Sequence, residues 1–162
     1  PENIQSYGGS INKYFATTKH FGKNMDSKTQ FSHDYFPDYI PGTSIFFEKA
    51  VLNKIGFMPE EYFMYYEDVD WSLKAVKSGI ELRICPGSII WHKEGASQQD
   101  EKQNKKKSEK SDVLSVVNKL ILAKRYFPSS VIFVYLGIIK SLFRMIFYMQ
   151  PNRAIEVIKR IL

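Results

Sequence analysis

An aromatic run ending in Tyr65 and Tyr66 gives way, at Glu67-Asp68-Val69-Asp70-Trp71, to an amphipathic helical pattern opened by three carboxylates. That junction constrains the local fold more than any other segment. Acidic side chains at a helix start are stabilised by the unpaired N–H groups there and by the helix dipole. Val69, Leu73 and Val76 recur at i, i+4 and i+7, Lys74, Lys77 and Ser78 lie off that stripe, and Gly79 closes the helix. A carboxylate held ionised in an aromatic-walled cleft is also what a general base requires. One placement therefore serves a cap or a catalyst.

Short strands and turns surround this helix. Residues 1–40 are rich in Gly, Asn, Ser, Thr, Tyr and Phe, which predicts short strands near 4–7 and 11–17. Pro41-Gly42 marks a turn, residues 43–47 a buried strand, and residues 48–55 an amphipathic helix stopped by Gly56. Residues 80–84 and 88–91 read as two further strands split by Pro86-Gly87, with Cys85 a small buried residue beside them. Helix, strand, turn, strand on one side of a β-rich core predicts an α/β domain over residues 1–111. At 162 residues, 44% hydrophobic and 15% aromatic, the chain can bury a sizeable core. It opens on Pro1 without an initiator Met or signal-peptide pattern, which reads as a processed chain or a piece of a longer one. The lone cysteine excludes an internal disulfide, no Cys/His cluster has zinc spacing, and a reducing cytosol fits.

Residues 100–111 carry Lys102, Lys105, Lys106, Lys107 and Lys110 and read as a solvated loop; the formal net charge is +6. No RNP-type strand, zinc finger or recognition helix accompanies these charges, so nucleic acid is not an expected partner. Residues 112–162 form a C-terminal helical segment. One helix covers 113–126, Pro128 breaks it, and Ser129 or Ser130 caps an almost wholly apolar helix over 131–149. Pro151 ends that helix, and Asn152 caps a basic amphipathic one presenting Ile155, Ile158, Ile161 and Leu162. The apolar stretch is long enough to span a bilayer, which needs about 20 residues. Its apolar residues contribute roughly −4 to −7 kcal/mol, and Lys140 and Arg144 cost roughly 2.5–3.5 kcal/mol each, so insertion is close to balanced. Gly137, Lys140, Ser141 and Arg144 share one stripe, which favours a helix lying at a membrane surface over one crossing it.

The order of motifs is more specific than any single one. Pro41-Gly42-Thr43-Ser44 is followed by Ile55-Gly56-Phe57-Met58-Pro59-Glu60, then by Phe63-Met64-Tyr65-Tyr66-Glu67-Asp68-Val69-Asp70. Lys77-Ser78-Gly79, Pro86-Gly87 and Trp91-His92-Lys93-Glu94-Gly95-Ala96-Ser97 complete the series. In this order the chain resembles the C-terminal half of the family 2 inverting glycosyltransferases of GT-A fold, especially bacterial rhamnosyl- and galactofuranosyl-type enzymes of cell-envelope polysaccharide biosynthesis. The resemblance covers residues 1–127 and is densest over 39–97. It implies a partial GT-A nucleotide-diphospho-sugar transferase domain with a mixed sheet, followed by C-terminal helices. The implied activity is transfer of a sugar from a nucleotide-sugar donor to a saccharide or lipid-linked acceptor with inversion, at the cytoplasmic side of the plasma membrane.

The resemblance assigns roles by position. Asp68 matches the catalytic base that takes a proton from the acceptor hydroxyl, and the helix start is expected to keep it ionised and weakly basic. Gly42 and Thr43 match the segment lining the acceptor, where a missing Cβ permits close approach. Glu67 would orient a ligand or Asp68, Trp91 and Lys93 would contact substrate, and His92 matches a metal- or diphosphate-contacting histidine for Mn²⁺ or Mg²⁺. Asp70 points about 200° around the helix from Asp68 and is read as a capping or loop-bonding group, and Trp71 as core. The family's donor-binding half, with its Asp-x-Asp metal motif, has no counterpart before residue 39. The isolated chain is therefore expected to bind nucleotide sugars weakly at best, to transfer nothing, and to self-associate through an unpaired sheet edge. A non-catalytic membrane-surface or scaffold module is the competing expectation.

Overall fold

The structure is a computed structural model describing residues 3–29, 35–92 and 109–162. The described residues form five α-helices and one two-stranded antiparallel sheet, a mixed α/β chain. They divide into two compact units. The first comprises Pro1–Asn12, Thr17–Phe63 and Glu67–Ile90, and the second Lys13–Ala16, Met64–Tyr66 and Trp91–Leu162. The main division thus follows Ile90. The boundary expected between 111 and 112 falls inside a helix, Glu109–Tyr126.

In the first unit β1 (Gly9–Asn12) pairs with β2 (Thr17–His20), Gly9 opposite His20. Gly9 and Ile11 are buried while Ser10 and Asn12 are exposed, the period of two that a half-covered strand imposes. The free edge of β1 takes up the segment at Tyr39. Gly9 N–H donates to Tyr39 O (3.1 Å), Asp38 N–H to Gly9 O (2.9 Å), and Ile11 N–H to Asp38 Oδ2 (2.8 Å). Past Tyr39 the segment turns its amides to α2 (Glu67–Lys77): Ile40 N–H donates to Ser72 Oγ (3.1 Å) and Gly42 N–H to Asp68 Oδ2 (2.8 Å). The match is geometric. Asp68 and Ser72, four residues apart, are separated by about 6 Å along the helix axis. Alternate amides of an extended chain are about 6.6 Å apart.

α1 (Lys49–Ile55) ends at Gly56, whose φ of 73° suits a residue without Cβ, and Gly79 after α2 has φ 76°. Ile55, Trp71, Ala75 and Leu82 form the core, with Ile45, Val51 and Leu52 packed on it. Trp71 Nε1–H donates to Gly56 O (2.8 Å), and Phe47 meets its ring edge-on at 4.9 Å. The buried stripe of α2 matches the expected one at Val69, which is buried, and departs from it elsewhere. Trp71 and Ala75, one turn apart, face the core, and Val76 is half exposed. The large indole fixes the helix rotation.

Residues 43–47, 80–84 and 88–91, expected as strands, are irregular and join no ladder among the described residues. β-forming composition reports a fit to a pleated surface, and without a neighbouring strand no ladder forms. Cys85 is consequently exposed rather than buried. Strand structure near the N-terminus lies at 9–12 and 17–20, with residues 13–16 forming the turn where 11–17 was expected to be extended.

In the second unit α3 (Glu109–Tyr126) packs against α4 (Val131–Phe147) and α5 (Pro151–Ile161). Leu114, Leu120 and Leu122 of α3, Val134 and Ile138 of α4, and Val157 of α5 are buried. Arg153 reaches Asp112 at 2.7 Å. α5 begins differently from expectation. Gln150 occupies the N-cap without a side-chain bond and Pro151 is the first helical residue, where a missing N–H costs nothing. Asn152 is therefore inside the helix. The buried Asn118 amide donates to Met64 O (2.8 Å) and Tyr65 O (2.9 Å), holding a run in which Tyr65 and Tyr66 have φ of 69° and 74°. Such values are strained for aromatic residues, and two hydrogen bonds from one amide fix them.

Candidate active site around Asp68

Asp68 sits in the first turn of α2, and both its oxygens accept backbone amides: Oδ1 from Val69 and Oδ2 from Gly42, each at 2.8 Å. Gly42 lies 26 residues away in sequence. A Cβ on Gly42 would stand 3.4 Å from Asp68 Cβ and 3.6 Å from Oδ2, in ordinary van der Waals contact with the carboxylate.

Burial pushes the Asp68 carboxyl above its usual range. The Gly42, Val69 and Asp68 amides and the His20 charge act in the opposite sense without cancelling it. The helix start was expected to keep Asp68 ionised and weakly basic; desolvation acts against it and is the larger effect. Glu67 is also pushed up, first by burial and then by the Asp68 charge, with its own backbone amide pulling down. Its Oε2 is buried and makes no hydrogen bond among the described residues.

His20, at the end of β2, joins this group. Ser6 gives its single hydroxyl proton to Gly8 O (2.9 Å), so His20 Nδ1 carries the proton in its 2.9 Å bond with Ser6 Oγ. Tyr39 Oη lies 3.4 Å from the same nitrogen. Burial pushes the Tyr39 phenol up to about 12, with a Thr18 hydrogen bond pulling down and the Asp68 charge pushing up. Tyr39 therefore stays protonated and available as a donor near neutral pH.

Of the residues expected to act on substrate, Asp68 and Gly42 are in direct contact. Glu67 precedes Asp68 in the same turn, and Thr43 is exposed beside Gly42. Trp91 (68% exposed) and His92 belong to the second unit, and Lys93 lies outside the described residues. Asp70, expected as a capping or loop-bonding group, is buried and accepts a hydrogen bond from Tyr62 Oη at 2.7 Å, in the connection that precedes α2. Among the described residues no three His, Cys, Asp or Glu side chains converge as metal ligands, so these residues alone do not fit a divalent-metal site. A 560 Å³ groove lined by Val113, Leu114, Ile155 and Arg160 belongs to the second unit and contains none of the Asp68 group.

Sequence reading missed His20, Ser6 and Tyr39. The polar, aromatic composition of residues 1–40 was the only trace of them, because the contacts that join them link segments distant in sequence. Compared with family models, curated proteins and solved structures, the chain matches none.

Proposed function

We propose that this chain is the acceptor-binding and base-bearing half of an inverting glycosyltransferase of GT-A type, with Asp68 as the base. Asp68 takes the proton of an acceptor hydroxyl as its oxygen bonds to the anomeric carbon of a nucleotide sugar. The bond from that carbon to the nucleotide diphosphate breaks on the opposite face, so configuration inverts. The observation that carries the proposal is the seat of Asp68, in the first turn of α2 with Oδ2 held by the Gly42 amide at 2.8 Å. Burial raises its affinity for protons, the direction a general base requires and the opposite of what its amides alone would give. Thr43 and Glu67 are assigned to the acceptor side, and Trp91 and Lys93 to substrate contact.

Unpaired β-type sequence supports the same reading. Residues 43–47 and 88–91 are rich in β-branched and aromatic residues, join no ladder among the described residues, and leave Phe46 98% and Ile89 75% exposed. A donor-binding half would supply the missing strands. It would also supply the main ligands of any divalent metal, with His92 contributing at most one.

The test is Asp68→Asn in a polypeptide joining these residues to a donor-binding half, assayed with nucleotide sugars and saccharide acceptors. Loss of a general base should lower kcat by about 10²–10⁴-fold with the fold intact. Full turnover in the variant would end the proposal. The second reading, a non-catalytic membrane-surface module, is favoured by the exposed apolar side of α4, and under it Asp68→Asn is silent.

A further inference from the structure

α4 is apolar on two opposite sides, and its neighbours use only one of them. Val134, Ile138 and Met145 recur at i, i+4 and i+11 and are buried. Ile132, Leu136, Ile139, Phe143 and Ile146 recur at i, i+4, i+7, i+11 and i+14, and their exposures run from 46% to 70%. That outer stripe is continuous over about 21 Å of helix. Phe133 extends it sideways, standing edge-on to Tyr14 at 6.3 Å and to Phe15 at 6.2 Å in the hairpin turn; those rings are 67% and 47% exposed. Single exposed apolar residues are ordinary, but a contiguous stripe of this kind marks a contact surface.

We propose that this stripe, with the Tyr14–Phe15 turn, lies in the headgroup region of an anionic lipid bilayer, with α4 parallel to the membrane plane. Charge selects this occupant. α4 has no Asp or Glu, and its two exposed cations, Lys140 and Arg144, are one turn apart along one border of the stripe. A helix with an apolar face bordered by cations matches acyl chains beneath and anionic headgroups alongside. A second copy of the chain fits less well, because pairing two α4 stripes brings like charges together with no acid on either helix. Residues 93–108 contain no large apolar side chain that could fill the stripe. The segment Pro128–Phe147 is long and apolar enough to cross a membrane. However, its inner face is packed against α3 and α5, so crossing would require it to leave both.

The experiment is co-sedimentation of the 162-residue chain with phosphatidylcholine vesicles, with and without phosphatidylglycerol. The chain should bind the anionic vesicles and release in high salt. Lys140→Gln with Arg144→Gln should reduce partitioning about thirtyfold. Ile139→Asp with Phe143→Asp should abolish it, at exposed positions where the circular dichroism spectrum should be unchanged. Should that variant misfold, Ile139→Ser with Phe143→Ser makes the same test. Undiminished binding by the stripe variants overturns the proposal, as does equal binding to neutral vesicles. Resistance to alkaline extraction overturns it in favour of a spanning helix. A dimer that the stripe variants convert to monomer, without any change in vesicle binding, overturns it in favour of self-association.

Discussion

Asp68→Asn separates a cap from a chemical group by stability alone. If Asp68 served chiefly to cap α2 and hold Gly42, losing its charge should cost the fold about 0.5–2 kcal/mol, as N-cap losses do. The structure points the other way. Burial of the charge outweighs the stabilisation returned by the Gly42 and Val69 amides and by His20, since the carboxyl is pushed up rather than down. A neutral isostere escapes the larger effect and forfeits part of the smaller one, because the Asn carbonyl still accepts one of the two amides. The expected change at pH 7 is within about 1 kcal/mol of zero, and a melting shift of no more than about 2–4 °C. The pH dependence carries the sign. An acid whose folded pKa exceeds its unfolded value of 3.8 binds more protons when folded, so stability falls as pH rises from 3.8 through the raised value. Asp68→Asn removes that fall, and the variant should compare better with the parent at pH 7 than at pH 4. Glu67, raised from 4.5, leaves a residual fall that Glu67→Gln removes. Urea denaturation at both pH values is the assay. A variant that loses more than about 2 kcal/mol at pH 7, and less at pH 4, would show a stabilising cap and refute the reasoning.

Three further substitutions probe the surroundings. Gly42→Ala places a methyl in ordinary contact with Asp68, so stability should change by no more than about 1 kcal/mol, while the lost water should push the Asp68 carboxyl further up in a ¹³C titration. Gly9→Ala sets a Cβ closer than 3.0 Å to three atoms of the Tyr39 ring, with backbone bonds holding both residues. It should cost about 1–3 kcal/mol in urea unfolding and displace Tyr39 from His20. Asn118→Leu leaves the Met64 and Tyr65 carbonyls without their shared donor and should cost about 2–4 kcal/mol. Its unfolding midpoint in urea is the measurement.

What could be read from sequence here was what a few neighbouring residues decide among themselves. Gly56 and Gly79 stop helices because each adopts positive φ there, and the carboxylates of Glu67 and Asp68 open one because its first amides are unpaired. The helices after residue 112 followed from composition and proline positions, and Pro151 was misread only as to which side of the boundary it serves. Strands were different. Residues 43–47, 80–84 and 88–91 have β-forming letters, but a strand exists only by courtesy of a neighbour, and none is present among the described residues.

The Asp68 group shows both kinds of information at once. Its position at a helix start was local and legible. Its basicity was not, because the sign of the shift depends on how much water the surrounding chain removes. The Gly42 amide, the His20 charge and the Tyr39 phenol come from segments up to 48 residues distant (His20 to Asp68), brought in by the 39–42 segment running from β1 to α2. A helix start alone would make Asp68 a poor base and a good cap. Burial acts against both, raising its affinity for protons and lowering the stability its charge contributes at neutral pH. A base needs affinity for protons and a cap does not, so the direction of that effect distinguishes the two roles. For that reason the ionisation of Asp68, measurable in this chain alone, bears on catalysis before any sugar donor is identified.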